Sequence, residues 1–461
     1  MNDARLHSSA PSIGQDGTFG FPNGDIGVIA QFIMDYAHHP DRTIALAGAL
    51  AIYAGIVGGG YQTPTGAYLN VYILLLAPTG QGKDIVKLAR AALYKAIVAQ
   101  GNTSIVNTIG PGEVASGPAL IRWWEQKPCC LSILGEFAPT LRKITAPNAN
   151  VNDEGIRQKL LLGYGAVVDP SAYADETKNT RFIDGLAYSI FAESVPETIY
   201  EKFDERLITS GLLPRFDLFE TNAPRSYHQK HRIKAPSQEL ANHLANVGAR
   251  AASNKTPIVP TFEPGAETKL DEFERWVTDQ INGSRSEVKR HQWNRANLKA
   301  QKLASLRAVG ENYLAPVITL EGVMWATNLV VDQTLKLIAK FDNGEVGEEV
   351  GNQSKQRSHI CRLVKEFIGQ PYDKAKAYGQ SEKMHKMQVV THSYLQKRVF
   401  TLPAFKPKPT QSLTDIMQTF LDAHELQKVP MQEMLHFLET GAKAYKIIKY
   451  AAFDLPSYFD D

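Results

Sequence analysis

"LLLAPTGQGKD", residues 74–84, runs out of an apolar stretch, turns on two glycines and reaches a lysine. Upstream, "YLNVYILLLA" (68–77) is a continuous apolar run, as expected for a central parallel strand buried on both faces. Downstream, "DIVKLARAALYKAIVAQG" (84–101) has the periodicity of an amphipathic helix closed by Gly101. A strand, a glycine-rich turn and a helix are the setting in which backbone N–H groups and a helix N-terminus hold phosphate. Ala77, Pro78, Thr79, Gly80, Gln81, Gly82 and Lys83 fit that loop pattern, with Ala in its first position. Gly80 and Gly82 let the chain curl so that successive N–H groups face the phosphates, and Lys83 adds a point charge. The pattern then breaks. The residue after the lysine usually carries a hydroxyl that ligates Mg²⁺, and here it is Asp84. A carboxylate offers the hard oxygen that Mg²⁺ prefers, so Asp84 is the candidate metal ligand.

Four further strand-like runs follow with helix-compatible stretches between them: "TSIVNTI" (103–109), "CCLSILGEF" (129–137), "LAYSIFAES" (186–194) and "RFDLFET" (215–221). That alternation implies a parallel α/β sheet. Residues 26–66 read as an N-terminal helical region, 67–222 as the sheet-bearing core, and 223–345 as a second helical region. A Gly/Glu-rich linker, "DNGEVGEEVGNQSKQ" (342–356), leads into a distinct unit over 346–461. That unit offers helices near 358–368, 391–400, 412–424 and 430–440, then the alternating "AKAYKIIKY" (442–450). Helices followed by a short ribbon form the pattern of a winged helix.

Composition is that of a soluble globular chain, with 43% hydrophobic and 21% charged residues. Three cysteines, two of them adjacent, make no disulfide framework and suit a reducing cytosol. Residues 1–25 are polar and Gly/Ser-containing, without the apolar segment of a secretory signal, and read as a flexible arm. The stretch "TIALAGALAIYAGIVGGG" (43–60) falls short of a membrane span and reads as a buried Ala-rich helix. The twelve histidines show no metal-ligand spacing, and "HHPDRT" and "HQKH" read as polar turns.

Charge is unevenly placed. Residues 225–234, 285–307 and 351–410 carry 23 Lys/Arg against 4 Asp/Glu, in a chain whose formal net charge is only +2. Basic segments on an otherwise acidic protein are the footprint of a polyanion partner, with solvated helix faces as the alternative. Within them Lys289, Arg290, Arg295 and Lys299 lie on a helix that lines a channel or a ring surface. Lys397 and Arg398 are placed to meet DNA phosphates.

Beyond the loop, "LSILGEF" (131–137) brings Glu136 to a strand tip, where it can polarise an attacking water or cap the turn into a helix. Such strand tips usually carry Asp before the Glu. Gly135 stands there instead, and Asp84 is read as its compensation. "YSIFAESVPETI" (188–199) ends a buried strand in Glu193 and Ser194, candidates to orient water near a γ-phosphate. In "TSGLLPRFDLFE" (209–220), Arg215 is either a finger reaching a phosphate of a neighbouring subunit or the partner of Asp217 or Glu220.

Taken in order, the loop, "EVASGPALIRWW" (113–124), "SILGEF", "LAYSIFAESVPETI", "SGLLPRF" and the basic tail resemble the helicase-like P-loop ATPases of phages, plasmids and other mobile elements. The resemblance covers roughly residues 26–345. It implies a RecA/AAA+-like P-loop NTPase core, with ATP and Mg²⁺ as cofactors. It further implies a homo-oligomeric ring such as a hexamer, acting on single-stranded DNA or a duplex origin beside a primase or polymerase. By position, Lys83 is similar to that family's phosphate-binding lysine and Glu136 to its strand-end acid. Glu193 and Ser194 are similar to its polar sensor, and Arg215 to its finger. No segment of the chain reads as a primase. The expected function is an ATP-dependent DNA motor. A DNA-binding scaffold or loader that uses ATP as a structural switch is the alternative, and RNA or a packaged genome is the other polyanion.

Overall fold

The computed structural model describes residues 19–146, 148–172, 179–200, 210–284, 286–342, 352–376, 381–400, 402–406, 408–437 and 442–448. The first 18 residues of the expected arm, linker residues 343–351 and the end of the last alternating run lie outside them. The chain divides into two compact units, residues 1–339 and 340–461.

The first unit begins with helices α1 (Asp25–Tyr36) and α2 (Arg42–Val57). Strand β1 (Tyr72–Leu76) follows, then α3 (Ile85–Ala99), α4 (Gly117–Gln126), β2 (Cys129–Leu134), α5 (Phe137–Thr145) and α6 (Val151–Leu162). β3 (Ala187–Ser194) and β4 (Phe216–Glu220) complete a parallel four-stranded sheet of order β2-β3-β1-β4. Every residue of β1 is buried because both faces of the sheet are covered. Ile73 and Leu75 join α2 in one core, while on the other face Tyr72 donates to Leu160 O of α6 (2.8 Å) and its ring meets Tyr164. That double cover is why the segment carries no alternation.

α2 explains the most apolar stretch. Residues 44–57 are all buried within the unit, and Asp41 caps the helix by accepting from Ile44 N–H (3.0 Å). No helix among the described residues is long and apolar enough to cross a membrane.

One expected strand is absent. "TSIVNT" is a 3₁₀ helix, and Ile109 alone touches the sheet, through a single parallel bridge to Leu131. A local side chain captures this backbone: Thr108 Oγ1 donates to Ile105 O (2.8 Å). Such bonds compete with a sheet ladder.

The later helices α7 (Gln238–Ser253), α8 (Ala266–Gly283), α9 (Glu287–Trp293), α10 (Ala296–Glu311) and α11 (Leu320–Asp342) share the same hydrophobic core. The regions read as 26–66, 67–222 and, as far as residue 339, 223–345 thus belong to one unit. α10 overturns a charge-based expectation. Its residues 299–310 are buried, cations included. Lys299 pairs with Asp217 (3.3 Å) and donates to Phe216 O (2.7 Å). Lys302 donates to Asn70 O and Oδ1 (3.1 and 2.8 Å) and lies over Tyr164. Arg307 pairs with Glu311 and Glu321 (2.8 and 2.7 Å). Lys299 therefore faces no nucleic acid: it staples α10 to the start of β4. Of the other predicted contacts on this segment, Arg290 is exposed, while Lys289 and Arg295 are half-buried.

Burial pushes the Lys302 ammonium down to about 7. The unfolded chain then binds more protons than the folded one between about pH 7 and the ordinary lysine range, so stability rises with pH across that window. Below about pH 7 both states are protonated and the cost of burying the charge is complete. Lys302→Met should flatten the rise, measured as chemical unfolding of both proteins at pH 7 and 9.

The second unit holds α12 (Asn352–Gly369), β5 (Val389–Thr391), α13 (His392–Val399), α14 (Pro409–Asp422), β6 (Leu426–Lys428), α15 (Met431–Phe437) and β7 (Ala444–Ile447). Its sheet is antiparallel and three-stranded, β6-β7-β5, rather than a two-stranded ribbon. "QVVTH" supplies the extra strand, inserted before α13. Arg398 is bound to Glu366 by two hydrogen bonds (2.7 and 2.8 Å), so it is already committed, whereas Lys397 is exposed. The exposed face of α14 presents Thr410, Gln411, Asp415, Gln418 and Asp422 and no Lys or Arg.

Candidate nucleotide site

Three strands deliver the site. β1 releases residues 77–84 between its neighbours β3 and β4, in the crevice at the carboxyl ends of the strands, where open α/β sheets bind ligands. Gly80 and Gly82 take φ of +82° and +81°, a region that glycine enters without strain. The curl leaves the amides of Gly80, Gly82 and Lys83 without an acceptor among the described residues, while Gln81 N–H donates to Pro78 O. Lys83 spans the tips of two strands, donating to Ala77 O (3.0 Å) and Ser194 O (3.2 Å). Asp84 is exposed at the N-terminus of α3 and makes no capping hydrogen bond.

Glu136 is at the tip of β2 with φ +45°, a left-handed conformation uncommon for a residue with a side chain. The turn projects it into solvent rather than continuing the strand. In-register pairing of Leu134 with Ala192 puts Gly135 beside Glu193. A Cβ on Gly135 would stand 3.5 Å from Glu193 Oε1. The Glu193 carboxyl thus occupies the neighbourhood that an acid at position 135 would claim. Asp84 is not the sole carboxylate available in its stead. Burial raises Glu193 above the usual carboxylate range, the Lys83 ammonium opposes that, and Asp84 and Glu136 add to it. These four side chains share one electrostatic environment. Ser194 Oγ is buried beside them with no hydrogen-bond partner among the described residues.

The donor set suits a magnesium nucleotide: free loop amides and a lysine for phosphate, and hard carboxylate oxygens for Mg²⁺. No group of three or more His, Cys, Asp or Glu forms a metal cage among the described residues. Mg²⁺ needs none, since it takes one or two carboxylates and completes its shell with phosphate and water.

Arg215 is elsewhere. It precedes Phe216, which pairs with Tyr72 at the start of β1, so Arg215 lies at the opposite end of the sheet from its own loop. Neither local carboxylate holds it: Asp217 pairs with Lys299, and Glu220 accepts from Tyr200. Instead Arg215 donates to Gly211 O, its buried Nε has no partner among the described residues, and its side chain lines a cavity of about 440 Å³ with Arg295 and Tyr164. Burial and then Arg295 lower its basicity.

Sequence reading missed a group at the loop. "HHPDR" and "PRSYHQKHR" meet there, with Arg225 bonded to His39 (2.7 Å) and His38 to His228 (3.0 Å). The clustering of His and Arg in both segments was the available signal. Their separation of nearly 190 residues hid the contact.

No protein-family model matches the chain, and no curated protein matches it. Among solved structures it is similar to a full-length MCM homologue from Methanopyrus kandleri. The identity is 13% and the TM-score 0.34, over 67% of this chain and 58% of that chain. The chain therefore spans less than two thirds of that structure's length.

Proposed function

We propose that the chain is an ATPase that works on DNA, with its nucleotide at the tips of β1, β2 and β3. The observation that carries this reading is Lys83 drawn between the Ala77 and Ser194 carbonyls above a loop curled by two left-handed glycines. Loop amides and Lys83 bind the phosphates. Glu136 orients and deprotonates water. Glu193 and Asp84 hold Mg²⁺, which neutralises phosphate charge when bound. Arg215 acts on the nucleotide of a neighbouring copy, since it lies far from its own loop and its cavity offers a second arginine, Arg295. This requires a homo-oligomer. The resemblance to helicase-like ATPases of mobile elements supports a role in DNA replication, with the second unit as a winged-helix-like DNA contact through Lys397.

Burial of α10 favours the alternative as well. The α10 part of the segment expected to line a channel belongs to the core, so only Lys289, Arg290 and Arg295 of it remain to meet single-stranded DNA. A nucleotide-switched DNA scaffold needs no such channel.

Turnover with and without single-stranded DNA tests the two. A motor shows turnover raised by DNA, and Glu136→Gln lowers it roughly 10²–10⁴-fold with nucleotide still bound. Nucleotide binding with turnover indifferent to DNA leaves the scaffold. Glu193→Gln should raise the Mg²⁺ concentration needed for tight ATP binding about tenfold, and more than Asp84→Asn does, because the Glu193 oxygen is the more desolvated. Equal shifts would return the metal to Asp84.

A further inference from the structure

The chain leaving β4, residues 222–234, is strapped across the mouth of the phosphate loop, and it is fastened twice. Near its start, Gln81 Nε2 donates to Ala223 O (2.9 Å). Further on, Gln229 N–H donates to His38 O (2.8 Å), Ile233 N–H to Asp35 O (3.0 Å) and Arg232 to Tyr36 O (3.2 Å). The bonds to Asp35 O and Tyr36 O satisfy carbonyls that the C-terminus of α1 leaves open. The span between the fastenings, residues 224–228, carries Arg225, whose side-chain tip reaches Gly80.

Arg225 sits on that span. One guanidinium nitrogen donates to His39 Nε2 (2.7 Å), and His39 Nδ1–H donates in turn to Ser226 O (2.8 Å). The other terminal nitrogen, Nη1, ends 3.9 Å from where a Cβ on Gly80 would stand, and His39 Cβ lies 4.0 Å from the same point on Gly82. No carboxylate pairs with Arg225 among the described residues. A guanidinium held by a neutral imidazole and aimed at the loop has its remaining donors free for an anion. Its planar fork matches two phosphate oxygens at once, which an ammonium cannot do. The His38 and His228 rings, 4.9 Å apart, close the same wall.

We propose that Arg225 is a same-chain cation for the phosphate chain of the nucleotide, positioned by His39, and that residues 224–228 form the second jaw of the site. Lys83 holds the phosphates from the floor and Arg225 from the roof. This rests on the nucleotide reading above. It also reassigns the first basic segment from nucleic acid to the nucleotide's own polyanion.

The experiment is Mg-ATP binding by calorimetry on the native chain, Lys83→Ala, Arg225→Ala, Arg225→Lys, His39→Ala and the Arg225/His39 double variant. It is paired with trypsin cleavage after Arg225 in the native chain, with and without ATP. Arg225→Ala should weaken binding roughly 10- to 100-fold, and Arg225→Lys should recover part of it. His39→Ala should weaken binding less, and the double variant should be no weaker than Arg225→Ala, because His39 acts through the arginine. ATP should slow cleavage after Arg225. If Lys83→Ala loses ATP while Arg225→Ala keeps native affinity and cleavage ignores ATP, the jaw is wrong and the site stands. If the native chain binds no ATP, the nucleotide reading itself fails.

Discussion

Lys299→Ala should cost the first unit about 3–5 kcal/mol, although the sequence presents this residue as one more cation of a basic segment. Lys299 and Asp217 are 7% and 3% exposed and 3.3 Å apart. Removing the lysine leaves a carboxylate deep in the core without its ion-pair partner, Lys302 being the nearby cation that remains. Burial already raises Asp217 above the usual carboxylate range, with Lys299 as the first influence opposing it. Deleting Lys299 also frees Phe216 O, the first carbonyl of β4. Urea unfolding followed on the tryptophans, all of which lie in the first unit, measures the loss. Asp217→Asn combined with Lys299→Met should recover much of it, since a neutral pair carries no unpaired charge. A small effect for Lys299→Ala, on the scale of a surface substitution, would mean that the lysine is solvated. It would then be open again as a nucleic-acid contact.

Lys83→Ala should remove ATP binding by roughly 10²-fold or more and abolish turnover, with little change in stability. Charge-assisted bonds are each worth about 1.5–3 kcal/mol, and this ammonium can make two, to adjacent phosphates. Its present bonds go to two carbonyls at strand tips and are the ones a phosphate would replace. The fold does not depend on it, because the side chain is half-buried at a loop that is open to solvent. Equilibrium binding and turnover, measured beside thermal unfolding, separate the two effects. Native-like ATP affinity in this variant would reduce the loop to a glycine turn.

Much of the molecule was legible from residues 68–101 alone. A continuous apolar run, two spaced glycines, a lysine and an amphipathic helix are local signals, and local signals fix β1, the loop and α3. The same holds for β2, β3 and β4, whose apolar runs end in polar residues at strand tips. "TSIVNTI" misled because β-branched residues announce strand, while the Thr108 hydroxyl bonds back to the Ile105 carbonyl in a tight helical turn. The basic stretch 285–307 misled for a different reason. Charge along a chain says nothing of its partners, and the acids that neutralise Lys299 and Arg307 come from Asp217, Glu311 and Glu321.

The sequence by itself determined the parallel sheet and the glycine loop between β1 and α3, because each depends on neighbours within about thirty residues. Tertiary structure alone decided which charges are available. It buried Lys299, Lys302 and Arg307 of one basic segment in a core helix, set Arg215 at the far end of the sheet from its own loop, and laid Glu193 beside Gly135. It also brought Arg225 and His39 together above the glycines. Electrostatic roles are fixed by distance and solvent exposure, and both are properties of the folded chain.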